Sequence, residues 1–156
     1  MVIKELVAVS KNDTLYNLVY VSAASRPLAE RDLLELLETA RDNNAKLGIT
    51  GMLLFRDGAF MQALEGPKDE VLELFGRIEK DERHECVIVL YQGPIEERHF
   101  PDWSMGFKSP SEAEIAKVEG YTSFLNFPNQ PYDREILASV ARKLLDSFRR
   151  TDGSQK

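Results

Sequence analysis

Apolar residues change their spacing along the first half of the chain, from every second position to every third or fourth. Residues 16–22 are rich in β-forming side chains that alternate between two faces, which predicts a first strand. After Pro27 the apolar positions recur at helical spacing as far as Gly48, a residue suited to ending a helix. This pattern predicts a first helix, whose apolar stripe consists of Leu33, Leu37 and Ala40, widened by Leu36.

Two apolar runs, residues 49–56 and residues 59–65, follow the first helix. Asp57-Gly58 between them is a two-residue turn typical of a tight antiparallel hairpin, so the runs predict strands two and three. Pro67 suits the start of a second helix, which ends before a charged run. The apolar stripe of that helix consists of Val71, Leu74, Phe75 and Ile78.

Residues 86–92 are nearly all apolar, which predicts a fourth strand that is buried on both faces. The resulting order, βαββαβ, places both helices on one face of a four-stranded antiparallel sheet, and this is the ferredoxin-like α+β fold. Residues 103–108 are expected to add a fifth strand. In this arrangement the first and third strands are the two central neighbours.

Two C-terminal helices are predicted beyond residue 108. Ser109-Pro110-Ser111 followed by Glu114 is the pattern of a capping box, and Gly120 closes the short helix that it begins. We expect the apolar side of the last helix to pack on the open face of the chain's own sheet, and a homo-oligomer contact is the alternative. That apolar side consists of Ile136 or Leu137, Val140, Ala141, Leu144, Leu145 and Phe148.

Length and composition favour one globular domain with short extensions. The 156 residues are 43% hydrophobic and 29% charged, and we divide them into an N-terminal extension (1–15), a core domain (16–108) and a C-terminal helical extension (109–156). No run approaches the ~18 to 20 apolar residues that cross a bilayer, and the N-terminus lacks the layout of a secretory signal. We therefore expect a cytoplasmic protein that makes no membrane contact.

Charge and cysteine content exclude several other classes. With 20 Lys and Arg against 26 Asp and Glu, the net charge of −6 opposes binding to phosphate backbones, so we expect no nucleic-acid partner. The single cysteine, Cys86, can form no intramolecular disulfide and cannot supply a thiolate zinc cluster. His84 and His99 have no carboxylate or thiolate partner at ligand spacing, so we expect no metal site.

Three polar residues interrupt the apolar pattern and point towards one place. Asn44 continues the apolar stripe of the first helix, Gln62 alternates with apolar residues on the third strand, and Tyr20 lies on the first strand. Each has an ordinary explanation singly, as a cap, a core amide or a packing residue. Together, because the first and third strands are neighbours beneath the first helix, they predict a cavity for a neutral planar heterocycle with an imide-like edge. Gly48 and Gly51 remove side chains where a flat ring or another backbone approaches closely.

Six segments of the sequence resemble the BLUF domains, a family that senses blue light using a flavin. The resemblance extends over residues 16–108, and its ordered motifs are more specific together than any one alone. These motifs are Leu-Val-Tyr-Val-Ser (18–22), Ala-Arg-Asp-Asn-Asn (40–44), Gly-Ile-Thr-Gly (48–51), Gly-Ala-Phe-Met-Gln-Ala-Leu-Glu-Gly (58–66), Asp-Glu-Arg-His (81–84) and Phe-Pro-Asp-Trp-Ser-Met-Gly-Phe (100–107).

The resemblance implies photochemical roles for two residues. Tyr20 matches the family tyrosine that gives an electron and a proton towards the excited flavin. Gln62 matches the glutamine whose amide then rotates or tautomerises, so that its hydrogen bonds to the flavin are rearranged. A small, reversible red shift of the flavin absorption follows, without a covalent bond.

The resemblance also implies a binding set and a relay. Asn44 and Asn43 match residues at the polar edge of the flavin ring, with more variation at Asn43, and Ile49 matches a residue that packs on the ring. Arg83 and His84 match positions near its polar side or ribityl chain, and the alternative for both is an exposed turn. Trp103 and Met105, two residues apart on the predicted fifth strand, resemble a pair that exchanges places near Gln62; which one occupies the pocket in the dark stays open.

The function implied is that of a blue-light photoreceptor that binds flavin noncovalently, as FAD in the cell and as FMN or riboflavin in some recombinant preparations. We expect no enzymatic activity, because about fifty residues after the core are too few for an effector domain, and the signal is expected to pass to an unidentified protein partner. One alternative is a flavin-dependent redox protein, although no G-x-G-x-x-G follows a strand. The other is a small hydrolase of the acylphosphatase kind, which would need a phosphate loop that residues 22–27 do not resemble.

Overall fold

The computed structural model describes residues 14–56, 58–101 and 104–108, together with residues 135, 138, 139, 141–143, 145 and 146. The predicted N-terminal extension lies almost wholly outside these residues, as do the short helix after residue 108 and Trp103. The strands and helices of the core are β1 (Leu15–Ala24), α1 (Glu30–Leu47), β2 (Thr50–Arg56), β3 (Ala59–Pro67), α2 (Lys68–Glu79), β4 (His84–Pro94) and β5 (Gly106–Lys108).

The strands form one sheet in the order β4-β1-β3-β2-β5. β1 pairs antiparallel with both β3 and β4, β2 pairs antiparallel with β3, and β5 pairs parallel with β2. This arrangement confirms the predicted ferredoxin-like α+β fold with a fifth strand. None of the described helices is both long enough and apolar enough to span a membrane.

The sheet separates two hydrophobic cores. On one side, which we call the helix face, Leu18, Leu53 and Leu64 pack with Leu37 of α1 and Val71 of α2. On the other side, the outer face, alternate residues of the same strands form a second core. Its members include Val19, Val21, Met52, Leu54, Met61 and Ala63, and the C-terminal residues Ala138, Ala141 and Leu145 pack against them. Both core helices therefore lie on one face, as predicted, and the described C-terminal residues Ala138, Ala141 and Leu145 pack on the other.

The first helix begins later than the sequence pattern indicates. Glu30 is its first residue, after Ala29, whose N–H donates to Oδ2 of Asp32 over 3.0 Å. Pro27 therefore precedes the helix instead of occupying its first turn. The other end agrees with the prediction, because Gly48 adopts a left-handed conformation with φ of 72° and ends the helix.

The fourth strand was predicted to be buried on both faces, and this prediction is wrong. β4 is an edge strand with only β1 beside it, and its pairing with β1 contains register shifts. Cys86, at a positive φ of 53°, is exposed at this irregular end, and Leu90, which is 6% exposed, is the most buried residue of the strand. The apolar residues between them reach both cores but stay partly exposed, because the edge is covered only in part.

The fifth strand is shorter than predicted and begins at Gly106, so Met105 does not lie on it. The backbone carbonyls of Ser104 and Met105 accept hydrogen bonds from side chains of α1, and this draws them away from the ladder with β2. The prediction that Trp103 and Met105 share a face of the fifth strand therefore fails for Met105, and Trp103 lies outside the described residues.

Candidate functional site

A tyrosine and a glutamine from the two central strands form the centre of the site. Tyr20 on β1 is paired directly with Gln62 on β3 in the register of the sheet. Both side chains point to the helix face and are buried, and the hydroxyl of Tyr20 donates a hydrogen bond to Oε1 of Gln62. The predicted neighbourhood of these two residues is confirmed.

The amide of Gln62 also contacts a methionine at its other end. Nε2 of Gln62 donates to Sδ of Met105 over 3.4 Å, which is a weak hydrogen bond. Gly51 makes room for this contact, since a Cβ there would lie 3.2 Å from Cε of Met105 and 2.0 Å from the backbone oxygen of Ala63. The close approach predicted at Gly51 is therefore made by another backbone and by Met105.

Two side chains of α1 hold the chain just before β5. Nδ2 of Asn44 donates to the carbonyl of Ser104, and Nε of Arg41 donates to the carbonyl of Met105, both over 2.9 Å. Asn44 is 1% exposed, and its Oδ1 has no hydrogen-bond partner among the described residues. Arg41 was not predicted as a site residue; its spacing of three from Asn44, which puts both on one helix face, was the available signal.

A cavity of about 170 Å³ lies between the sheet and the two helices. Its lining includes Tyr20, Asn43, Asn44 and Gln62. It also includes Arg83 and His84, the two site residues predicted in the turn after α2. Ile49 is fully buried in the core of the helix face but does not line this cavity. The lining residues are Tyr20, Leu36, Thr39, Ala40, Asn43, Asn44, Leu53, Phe60, Gln62, Leu74, Arg77, Ile78, Asp81, Arg83 and His84.

His84 closes one side of the cavity. Its Nδ1 lies 2.9 Å from Oγ of Ser22, a fully buried hydroxyl of β1. Its ring centroid is 4.9 Å from that of Phe60 and 6.3 Å from that of Tyr20. Burial lowers the pKa of His84 below its ordinary value; Asp81 opposes this shift and Arg83 reinforces it. Ser22 was not predicted, although it shares a strand face with Tyr20.

Fixed charges are confined to one end of the cavity. Asp81 and Arg83 form an ion pair with an N–O distance of 2.6 Å, and the hydrogen bond from Arg83 lowers the pKa of Asp81 to about 2. Arg77, which also lines the cavity, pairs with Glu73 on the surface of α2. Around Tyr20, by contrast, burial and the charge of Asp81 both raise the pKa of the phenol. Tyr20 is therefore a neutral donor throughout the physiological range.

The neutral polar groups of the cavity fit the polar edge of a flavin ring. The free Oδ1 of Asn44 can accept from an imide N–H, and the second N–H of Gln62 can donate to a ring nitrogen or carbonyl. Apolar side chains of the strands and helices line the rest of the cavity. Fold and site together define a small ferredoxin-like domain that holds a neutral planar ligand between its sheet and its two helices.

Comparisons with known proteins agree with this class. A family model described as "BLUF: Sensors of blue-light using FAD" matches residues 15–106. Photoactivated adenylate cyclase subunit beta of Euglena longa is 41% identical over 100 residues, which are 64% of this chain and 12% of that protein. The chain belongs to the BLUF family and is a flavin-binding sensor of blue light.

Solved structures show the same fold. The dark-state structure of the BLUF protein BlrB matches with a TM-score of 0.68 and 32% identity, over 87% of this chain and 98% of that chain. Klebsiella pneumoniae BlrP1 with FMN and cyclic diGMP matches with a TM-score of 0.61 and 31% identity, over 88% of this chain and 35% of that chain. The chain spans about 12% of the length of its curated cyclase relative, so that relative's whole activity is not transferred to it.

Proposed function

We propose that Tyr20 and Gln62 are the photochemical residues of this sensor and that light acts by rearranging the hydrogen bonds of Gln62. The observation that carries this proposal is the buried chain of contacts from the hydroxyl of Tyr20 through the Gln62 amide to Sδ of Met105. A neutral phenol in a sealed site is suited to give up an electron together with its proton, because losing only the proton is unfavourable there.

Bound flavin supplies the absorption of blue light and an electron-accepting excited state. With flavin bound, Tyr20 would give the electron to the excited ring, and its proton would pass to Oε1 of Gln62 while Nε2 gives a proton towards the ring, so that no charge stays on the amide. Return of the electron and of one proton to Tyr20 would then close the cycle. The amide is then free to tautomerise or rotate. Once the proton has returned to Tyr20, the rotated amide would place an unprotonated oxygen where an N–H now faces Met105. Because that oxygen cannot donate to Sδ, the hydrogen bond with Met105 would be lost.

The proposed binding set surrounds this pair. Asn44 and Asn43 are proposed to hold the polar edge of the ring, and Arg83 and His84 to border its polar side or ribityl chain. Ile49 does not line the cavity and is proposed to pack towards the ring from the adjoining core of the helix face. FAD is the proposed cofactor in the cell. FMN and riboflavin are expected to bind as well, and the presence of FMN in the BlrP1 structure supports this.

The proposed output is a protein contact and not a chemical reaction. Residues 16–108 are the proposed photosensory unit, with 1–15 and 109–156 as extensions, and a cytoplasmic location is proposed. The downstream partner is a protein or a second copy of this chain, with no nucleic acid or membrane involved. Trp103 together with Met105 is proposed to relay the change at Gln62.

Replacing the photochemical residues tests the proposal. In Tyr20→Phe and Gln62→Leu the chain should still bind flavin but lose the light-induced red shift, because each change removes one partner of the Tyr20–Gln62 hydrogen bond. Absorption spectra of the purified protein before and after blue light measure this. Bleaching of the flavin absorption by a reduced nicotinamide cofactor, without a light-induced shift, would indicate a redox protein instead.

The chain contains a matched control pair. The hydroxyl of Tyr16, on the same strand as Tyr20, donates to Oε1 of Gln92 over 2.8 Å at the protein surface. Tyr16→Phe and Gln92→Leu remove the same chemical groups away from the cavity, so both should keep a normal shift. A normal photocycle in Tyr20→Phe or Gln62→Leu would refute the assigned roles.

A further inference from the structure

The chain between β4 and β5 crosses from one face of the sheet to the other. Phe100 is 5% exposed and belongs to the core of the outer face, where Ala141 and Leu145 also pack. Met105 is 1% exposed and belongs to the core of the helix face. Phe100 and Met105, five positions apart in the sequence, therefore belong to different cores, and Met105 contacts Gln62.

A buried carboxylate holds the outer end of this span. Glu65 is 2% exposed and points to the outer face from the end of β3. Its Oε2 accepts from the N–H of His99 over 3.0 Å, and its Oε1 accepts from the N–H of Phe100 over 2.5 Å and from the hydroxyl of Thr50 over 3.3 Å. Hydrogen bonds to a charged acceptor are about twice as strong as neutral ones, so Glu65 fixes the backbone there.

Arg98 donates hydrogen bonds to groups at the start of β2, the end of β3 and the end of α1. Nη1 of Arg98 donates to the hydroxyl of Thr50 over 2.9 Å and to the backbone carbonyl of Glu65 over 3.2 Å. Its Nη2 donates to the carbonyl of Gly48 over 2.8 Å, at the end of α1. Thr50, Glu65 and Arg98 thus form one cluster, which joins the start of β2, the end of β3 and the segment that leads to β5.

The inner end of the span is held differently. Asn44 and Arg41 bind the carbonyls of Ser104 and Met105, and Gln62 makes its weak contact with Sδ of Met105. A change at Gln62 therefore alters the weakest restraint on a segment that is otherwise fixed at both ends. Only four residues separate Phe100 from Met105 in the sequence, so the bonds at Phe100 lie close along the chain to the contact at Gln62.

We propose that Glu65 and Arg98 are positioning residues of the light response: they fix the outer end of residues 98–105, so that a displacement of Met105 is delivered to the outer face through the amides of His99 and Phe100. This inference rests on the proposed function. His99 and Phe100 border a cavity of about 590 Å³, which is also lined by residues of the sheet and by described residues of the C-terminal helix. Arg142 of that helix lies 4.3 Å above the ring of Tyr91 and borders the same cavity.

Amide hydrogen exchange, measured residue by residue on the flavin-loaded chain in the dark and under continuous blue light, tests the inference. The amides of His99 and Phe100 should exchange at least threefold faster in the light, because their bonds to Glu65 are strained. An unchanged or slower rate in a protein that shows the full red shift would overturn the inference while leaving the proposed function intact. Absence of the red shift would instead refute the proposed function.

Substitutions of Glu65 and Arg98 test whether these residues position the chain at His99 and Phe100 or only pack there. Glu65→Gln should raise the dark exchange of His99 and Phe100 and abolish the light-minus-dark difference, with the amplitude of the red shift retained. Arg98→Gln should do the same with the carboxylate still present, which provides a second test if Glu65→Gln does not fold. Glu97→Gln changes an exposed neighbouring carboxylate and should behave like the unmodified chain. A full light-minus-dark difference in both Glu65→Gln and Arg98→Gln would refute the roles of these residues.

Discussion

At the scale of single residues, the site separates neutral groups from charged ones. Tyr20, Asn44 and Gln62 provide donors and acceptors without a fixed charge, whereas Asp81 and Arg83 form an ion pair at one end of the cavity. His84 lies between these two environments, bonded to Ser22 and packed against aromatic rings. Its protonation therefore couples pH to the stability of the site.

Acid should destabilise the folded chain through His84. Because burial lowers its pKa in the folded state below the ordinary 6.5, the unfolded chain binds more protons once the pH falls below about 6.5. The free energy of unfolding should decrease from there until the folded-state pKa is passed. Asp81 acts in a separate window, since its stabilising effect is lost only as the pH falls from 3.8 through about 2.

Urea unfolding between pH 7.5 and pH 5 measures this effect. His84→Gln, which can still bond to Ser22, should flatten the pH dependence. The same pH dependence in His84→Gln and in the unmodified chain would show that another group is responsible.

The sequence allowed prediction of the residues that break the apolar pattern, but not of those that act through cross-element contacts. Tyr20, Asn44 and Gln62 were found because a polar side chain at an inward position is visible in one dimension. Arg41 shares a helix face with Asn44, but the carbonyl that it binds is 64 positions away in the sequence, so the spacing does not identify its partner. Ser22 has a similar explanation, because its partner His84 is 62 positions away.

At the scale of elements, two glycines differ in the space available for a side chain. At Gly51 on β2, an added Cβ would lie 2.0 Å from the backbone oxygen of Ala63. At Gly76 on α2, an added Cβ would meet nothing within 4 Å. The same substitution should therefore have opposite effects in the two elements.

Gly51→Ala should lower the free energy of unfolding by about 3 kcal/mol, because β2 and β3 must separate and Met105 must move. Gly76→Ala should raise it by about 0.5 to 1 kcal/mol through helix propensity. Urea denaturation of both variants checks these values. A Gly51→Ala protein as stable as the unmodified chain would contradict the close approach of β2 and β3.

The end of α1 was predicted correctly because a single residue determines it. The length of β5 and the burial of β4 were predicted incorrectly because they depend on contacts with other elements. Gly48 ends α1 through its own left-handed conformation, so its position was visible in the sequence. β5 is shorter than expected because side chains of α1 bind the carbonyls before it. The apolar run of β4 indicated full burial, but its place at the edge of the sheet depends on the whole topology.

At the scale of the whole molecule, one sheet separates the ligand cavity from the core that the C-terminal residues cover. Leu145 is 5% exposed in the outer core. Leu145→Ala should therefore cost about 2 to 3 kcal/mol of stability, while the flavin red shift is unchanged because the cavity is on the other face. Chemical denaturation and light-minus-dark spectra measure the two effects.

Lys143→Ala is the matched control for this substitution. Lys143 is exposed on the same helical segment, so its replacement should change the stability by less than about 0.5 kcal/mol. An equal, small effect of Leu145→Ala and Lys143→Ala would contradict the packing of the C-terminal segment on the sheet.

The proposed light response depends on one buried amide, that of Gln62, whose hydrogen bonds to Tyr20 and Met105 are rearranged. The most direct measurement is the absorption spectrum of the flavin-loaded protein in the dark, after blue light and after return to the dark. A small red shift that reverses fully is expected, as is its loss in Gln62→Leu but not in Gln92→Leu. An unchanged spectrum after illumination, or a shift that persists in Gln62→Leu, would contradict the proposed light response.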